Sequence, residues 1–198
     1  FLGVATGIAS VYFSKMYFKI IAFKQKDTIE VVKNSSEITP YLSQFCDCYQ
    51  EVFGGAPYFE TFESQTLETE FSELLDQKPG SCILLARDDV GGSGFGVGYI
   101  QPEDNAFYIA ELGVSARKRG QRLGKRLFQS LLEYGGKQQP TKFRLRTLKD
   151  EGQNKVALHL YRSCGFLETG DIETILSQRK DGSTSTDQRV VMEAPLSG

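Results

Sequence analysis

The stretch from Glu111 to Leu127, ELGVSARKRGQRLGKRL, carries the densest chemistry in the chain. An apolar strand pattern ending at Val114 runs into a loop holding Gly120, and the loop becomes the first turn of a helix that holds Gly124. The amides of a first helical turn have no partner inside the helix, and the macrodipole adds roughly half a positive charge there. Glycine lets the backbone approach a ligand closely. Arg117, Lys118, Arg119, Arg122, Lys125 and Arg126 place six cations within ten residues of a chain that is net acidic. Together these features describe a diphosphate site at a helix N-terminus. A basic helix that merely faces solvent has the same composition, and both readings stand at this point. The pattern G-x-x-x-x-G-K-[ST] is absent, which sets aside a P-loop. G-x-G-x-x-G after the strand is absent too, which weakens a dinucleotide fold.

The other reactive side chains are sparse. Cys46 and Cys48 form a lone C-x-C, Cys82 and Cys164 stand apart, and His159 is the single histidine. No metal site is expected from so scattered a set, and reduced, partly buried thiols are the expected state. His159 and Cys164 are five apart on one helix, hence about 140° apart around it, so they do not form a dyad.

These residues need elements to hold them. TIEVVK (28–33) has the β-branched content of a first strand. Asn34, Ser35, Ser36 and Glu37 supply cap chemistry for a helix whose apolar positions run from Ile38 to Phe53. A loop, GGAPYFETFES, leads to a second helix near Gln65 to Asp76. CILLAR (82–87) is a strand, DDVGGSG (88–94) a turn and FGVGYIQ (95–101) the return strand. AFYIAELGV (106–114) reads as a buried central strand, on which odd spacing sends Tyr108 and Glu111 to opposite faces. A helix follows from about Gln121 to Lys137, then a strand KFRLRTL (142–148), a helix from Asn154 to Cys164 and a strand from Phe166. The polar stretch SQRKDGSTSTDQ (177–188) is expected to be a loop before a last strand, Arg189 to Glu193. The order β-α-α-β-β-β-α-β-α-β-β describes a mixed α/β sheet.

The whole chain has 198 residues, 40% of them hydrophobic, and a net charge of −2. That is one domain with enough apolar side chain to form a core, and overall charge points to neither nucleic acid nor an anionic membrane. Residues 1–26 differ. The first 23 hold 16 apolar residues and no acid, with Lys15, Lys19, Lys24 and Lys26 following the apolar run. A packed extension, a truncated membrane anchor and sequence upstream of the functional domain all fit. We expect an apolar extension without a role in the chemistry, preceding a single domain over 27–198.

Two motifs resemble the GNAT N-acetyltransferase superfamily. Arg119-Gly120-Gln121-Arg122-Leu123-Gly124 is similar to the family's [Q/R]-x-x-G-x-[G/A], with Arg122 where the family has glycine. A non-glycine residue there is strained if the site needs φ > 0. NKVALHLYRSCGF, from Asn154 through Tyr161 to Phe166, resembles the N-x-x-A-x-x-L-Y-x-x-x-G-F helix and strand. The likeness runs over about residues 28–196. It implies a central, mostly antiparallel sheet of about seven strands, splayed at the cofactor site and flanked by about four helices.

It also implies acetyl-CoA as acetyl donor and the amine of a small molecule or peptide as acceptor. Dimers are frequent in the family, and cytoplasmic residence is expected. Cofactor contacts fall on Leu112, Gly113, Val114, Arg119, Gly120, Gln121, Arg122, Leu123, Gly124, Lys125 and Asn154. An alkyl amine is mostly protonated at pH 7, so a carboxylate must take a proton, and Glu111 is the candidate base. A salt bridge from Glu111 to a nearby arginine is its structural alternative. Tyr161 is the candidate proton donor to the departing thiol, and a packed core tyrosine is its alternative. The first interhelical loop offers Tyr58, Phe59, Glu60, Phe62 and Glu63 to the acceptor, with Asp171 and Glu173 from the last strands, a set suited to a cationic amine. A catalytically weak or silent acyl-CoA-binding module of the same fold is the second reading.

Overall fold

A computed structural model describes residues 27–150, 152 and 154–196. The expectations for residues 1–26 lie outside the described residues.

The Asn34 side chain accepts from the Glu37 N–H at 2.9 Å, while the Glu37 carboxylate takes the Lys33 N–H at 2.9 Å. This reciprocal cap starts α1 (Ser35–Ile38). A 3₁₀ turn containing Pro40 joins it to α2 (Leu42–Phe53), and α3 (Ser64–Gln77) follows. The remaining helices are α4 (Leu123–Gly136) and α5 (Lys155–Ser163). The strands are β1 (Thr28–Val32), β2 (Cys82–Asp88), β3 (Gly91–Gln101), β4 (Ala106–Val114), β5 (Lys142–Leu148), β6 (Leu167–Gln178) and β7 (Thr184–Pro195).

They form a seven-stranded sheet in the order β1-β2-β3-β4-β5-β7-β6. All neighbours are antiparallel except β4 and β5. Helices cover both faces. On one, Leu123, Leu127, Phe128 and Leu131 of α4 and Leu158 and Tyr161 of α5 pack on Leu84, Phe107, Ile109, Leu145 and Met192. On the other, Phe45, Tyr49 and Phe53 of α2 and Leu67 and Phe71 of α3 pack on Ile83, Leu85, Phe95 and Val97. β2 therefore feeds Leu84 to one core and Ile83 and Leu85 to the other. This is why its sequence is an unbroken apolar run.

Two irregularities make the site. The β4–β5 pairing runs from Ala106↔Lys142 to Ile109↔Leu145, yet β4 continues to Val114 and β5 to Leu148. The two strands part after Ile109, leaving one edge of β4 without a ladder partner. The β3–β4 register also shifts, with Val97 opposite Glu111 and Gly98 opposite Ile109, so Ala110 is an extra residue in β4. Phe107, Ile109, Leu112 and Val114 all face the α4–α5 core, whereas Ala110 packs toward the α2–α3 core.

The bulge overturns the expected opposition of Tyr108 and Glu111. One extra residue restores them to a common face, where the Glu111 charge acts on the Tyr108 phenol. A second correction concerns 177–188. It is mostly strand, since β6 reaches Gln178 and β7 begins at Thr184. β6 is solvated along nearly its whole length, so its sequence carries no apolar alternation to betray it. β3 likewise begins at Gly91, inside the expected turn, and α4 begins at Leu123 rather than Gln121.

Candidate active site

Where β4 and β5 part, a small cavity of about 40 Å³ is lined by Ile109 to Leu112 of β4, Leu145 to Leu148 of β5, Phe53, Tyr58, Tyr161 and Arg189. Glu111 and Tyr161 thus meet at one opening. They come from opposite faces of the sheet: Tyr161 belongs to the α4–α5 core, while Glu111 sits beside the Tyr49 hydroxyl of the α2–α3 core.

Burial pushes the Glu111 carboxyl up to about 7, and the Glu60 charge adds to this. The Arg189 and Arg146 guanidiniums and the Tyr49 hydroxyl oppose it. Among the described residues, Glu111 forms no ion pair within 4 Å. The alternative of a salt bridge to the basic loop is not what the carboxylate does. A carboxyl poised near neutrality at an opening can take a proton there.

Tyr161 is 8% exposed, with its ring centroid 5.1 Å from that of Phe128. Burial raises its phenol well above the ordinary value, the Tyr58 and Glu111 groups add to that, and the Thr147 hydroxyl pulls the other way. It stays protonated at neutral pH and is a proton donor. Its packing is that of a core tyrosine, and it also lines the cavity.

Asn154 holds the wall behind it. Its amide donates to Thr147 Oγ1 at 2.7 Å and to the Leu148 carbonyl at 2.8 Å. Its amide hydrogens serve β5, and the side chain is not part of the cavity wall.

The helix N-terminus departs from its sequence reading in two ways. Arg117 bonds Asp88 at 2.5 Å and the Gly92 carbonyl at 2.8 Å, Lys118 pairs with Asp27 at 2.8 Å and Asp88 at 2.7 Å, and Arg126 holds the Asp27 carbonyl at 2.8 Å. Three of the six cations are therefore internal ties between β1, the β2–β3 turn and α4. Arg119 Nε reaches back to the Val114 carbonyl at 3.2 Å, and Gln121 Nε2 to the Arg117 carbonyl at 3.0 Å. Arg122 and Lys125 have no ion-pair partner among the described residues. Arg122 itself has φ 62° and ψ 11°, the left-handed conformation that the glycine in the resembled motif would adopt without strain. The anticipated strain is real and costs roughly 1–2 kcal/mol.

These residues fit a diphosphate carrier. The first helical hydrogen bond runs from the Arg126 N–H to the Arg122 carbonyl at 3.1 Å, so the amides of Leu123, Gly124 and Lys125 have no partner within the helix. Nothing lies within 4 Å of a Cβ built on Gly120, and one on Gly124 meets only Val114 at 3.5 Å. The unpaired β4 edge over Leu112, Gly113 and Val114 leads from this turn toward Glu111.

The sequence profile of the Acetyltransferase (GNAT) family matches residues 42–166, more than half the chain. The chain belongs to the GNAT acetyltransferase family. No curated protein matches it at the sequence level. Among solved structures, this GNAT domain is similar to the ribosomal-protein-S18-alanine N-acetyltransferase of Escherichia coli, with TM-score 0.63 and 17% identity over 87% of this chain and 95% of that one. It is also similar to yncA, a putative acetyltransferase of Salmonella typhimurium solved with its cofactor acetyl-CoA, with TM-score 0.61 and 12% identity over 88% and 96%. At such identity the likeness is one of fold. Acetyl-CoA is the acetyl donor of the family.

Of the residues expected to face the acceptor, Tyr58 alone of the loop set lines this cavity. Glu60, with its carboxyl raised by burial, lies 3.9 Å from Arg189. Phe62 packs on the Tyr49 ring at 5.1 Å. Phe59 has φ 52° and is 47% exposed, and it is not among the residues lining the cavity. Glu173 is held by Arg146 at 2.5 Å. Arg146, Thr147 and Arg189 were missed by the sequence reading. The signal for the first was the spacing of Lys142, Arg144 and Arg146 in KFRLRTL, which puts three cations on one face of β5. Three thiols are unsuited to covalent catalysis, since burial pushes Cys46 up to about 11 and Cys48 and Cys82 up to about 12.

Proposed function

We propose that this chain is an N-acetyltransferase that moves the acetyl group of acetyl-CoA directly to the primary amine of a small molecule or peptide. The observation that carries the reading is the meeting of Glu111 and Tyr161 at the gap between β4 and β5. When bound, acetyl-CoA supplies an acetyl thioester whose carbonyl carbon accepts an amine. The amides of Leu123 to Lys125, with the side chains of Arg122 and Lys125, hold phosphate. The Glu111 carboxylate accepts a proton from the incoming ammonium, directly or through a water, and leaves the nitrogen lone pair free. Free N–H groups of the β4 edge over Leu112 to Val114 donate to the oxygen where negative charge develops. The Tyr161 Oη–H donates its proton to the departing sulfur, and Thr147 with Asn154 keeps that wall of the site in register. The Leu112 and Val114 side chains lie against the apolar core and help keep bulk water from the gap.

The test is release of the CoA thiol from acetyl-CoA in the presence of a broad amine panel. The proposal expects amine-dependent release that falls about 10²- to 10⁴-fold in Glu111→Gln. Tight acetyl-CoA binding with no turnover on any amine would instead identify a silent acyl-CoA-binding module.

A further inference from the structure

We infer that the acceptor is an amine carrying a free carboxylate beside it, of the amino-acid class, and that Arg189 binds that carboxylate. This rests on the acetyltransferase reading and names the acceptor of that site.

Arg189 stands on β7 opposite Leu148 of β5 and Glu173 of β6, and its side chain lines the cavity that Glu111 and Tyr58 also line. The side chain is 19% exposed, yet its guanidinium forms no hydrogen bond among the described residues, and its Nε is buried without a partner. The nearest carboxylate oxygen, Glu60 Oε1, is 3.9 Å away, beyond hydrogen-bond length. The other arginines of this face are matched. Arg144 bonds Glu193 at 2.7 and 2.8 Å and Asp104 at 2.5 Å, and Arg146 bonds Glu173 at 2.5 Å. A buried donor left unmet, as Nε is, costs free energy, and the five donors of a guanidinium form a rigid fork that fits a carboxylate in two-point contact. Glu60 supplies part of the counter-charge and holds the fork in place while leaving its donors open.

The position suits an acceptor rather than the donor. Arg189 and Glu111 act on one another and on Tyr58 from the side of the α2–α3 loop, across the sheet from Tyr161. A zwitterion entering there sets its carboxylate on Arg189 and its ammonium toward Glu111. The narrow cavity holds about three water-sized groups and suits a small polar head. A peptide N-terminus or a polyamine brings the ammonium without the anion and leaves the Arg189 donors unmet.

The experiment compares kcat/KM for matched pairs, L-alanine with L-alaninamide and tyrosine with tyramine, using the full chain and acetyl-CoA. Both control amines shed the carboxylate, and the α-amine of alaninamide is also less basic than that of alanine, so solution chemistry alone favours the amide. The wild type is expected to prefer the acids by about 30-fold or more. Arg189→Gln is expected to collapse the preference by raising KM for the acids, and Arg189→Lys to restore part of it; thermal midpoints check that both variants fold. Equal or better use of the amide and tyramine, or a preference that survives Arg189→Gln, overturns the inference while acetyl transfer stands. If no amine is acetylated, the acetyltransferase reading fails, and calorimetric titration with alanine and alaninamide in the presence of CoA decides this one separately. Binding of alanine alone, lost in Arg189→Gln, upholds it; equal binding or none overturns it.

Discussion

At the scale of the residue, Glu111 ties activity to stability through one pKa. Its folded value of about 7 lies above the ordinary 4.5 of glutamate, so between those values the folded state holds a proton that the unfolded state has lost. The stabilisation of the neutral carboxyl is complete below pH 4.5 and is lost as pH rises through 7. Activity runs the other way, because only the ionised form accepts a proton. The expected kcat/KM profile therefore has an acid limb near pH 7 that disappears in Glu111→Gln, and the same variant melts at a higher temperature than wild type at pH 8. A limb unchanged by the substitution would assign it to another group. Tyr161→Phe keeps the ring against Phe128 and removes only the hydroxyl. A drop of about 10²-fold in kcat with little change in thermal midpoint is expected. Glu111 was legible as a candidate because an ionisable side chain stands out in so apolar a strand, and Tyr161 through its place in the resembled N-x-x-A-x-x-L-Y motif. Arg189 was not, since an arginine at the start of an edge-proximal strand reads as solvated until the fold brings Glu60 and Tyr58 over it.

At the scale of the element, two backbone departures shape the site. The Ala110 bulge turns Glu111 toward the α2–α3 face, and nothing in AFYIAELGV signals it, because strict alternation and one inserted residue have the same composition. The strands and helices themselves were readable from periodicity; the reach of β6 and β7 into 177–188 was not, because a strand stretch solvated on both faces looks like a loop. Arg122 is a second departure, visible in the sequence as a broken motif and in the structure as a φ of 62°. Arg122→Gly relieves the strain but frees the unfolded chain, so a net gain below about 1 kcal/mol is expected as a higher denaturant midpoint at constant m. Gly113 is required by packing. A Cβ there would lie 2.4 Å from the Phe95 ring, so Gly113→Ala is expected to cost about 1–3 kcal/mol in chemical unfolding.

At the scale of the whole molecule, the sheet acts as a partition with a gap in it. In the proposed mechanism the face with α4 and α5 supplies the phosphate-binding turn and Tyr161 as proton donor, while the face with α2 and α3 supplies Glu111 as base and the acceptor wall. Half of the basic stretch is spent on ion pairs with Asp27 and Asp88, which tie the start of the first strand to the turn before α4. This explains how a segment so rich in cations belongs to a net acidic protein. Binding should stabilise the whole domain: acetyl-CoA at about 100 times its Kd adds roughly 2.7 kcal/mol, or about 5–10 °C in thermal midpoint.

The central claim is that the amides of Leu123 to Lys125 hold the phosphates of the acetyl carrier. Calorimetric titration of acetyl-CoA into wild type and Gly124→Asp tests it most directly. Aspartate in the first turn favours the helix dipole and meets only an ordinary contact with Val114, so the variant should fold with an equal or higher thermal midpoint. Its charge, however, opposes a bound phosphate. One-to-one binding to wild type that weakens by about tenfold or more in the variant is the predicted result. Equal affinity in both proteins would place the carrier elsewhere and contradict the account.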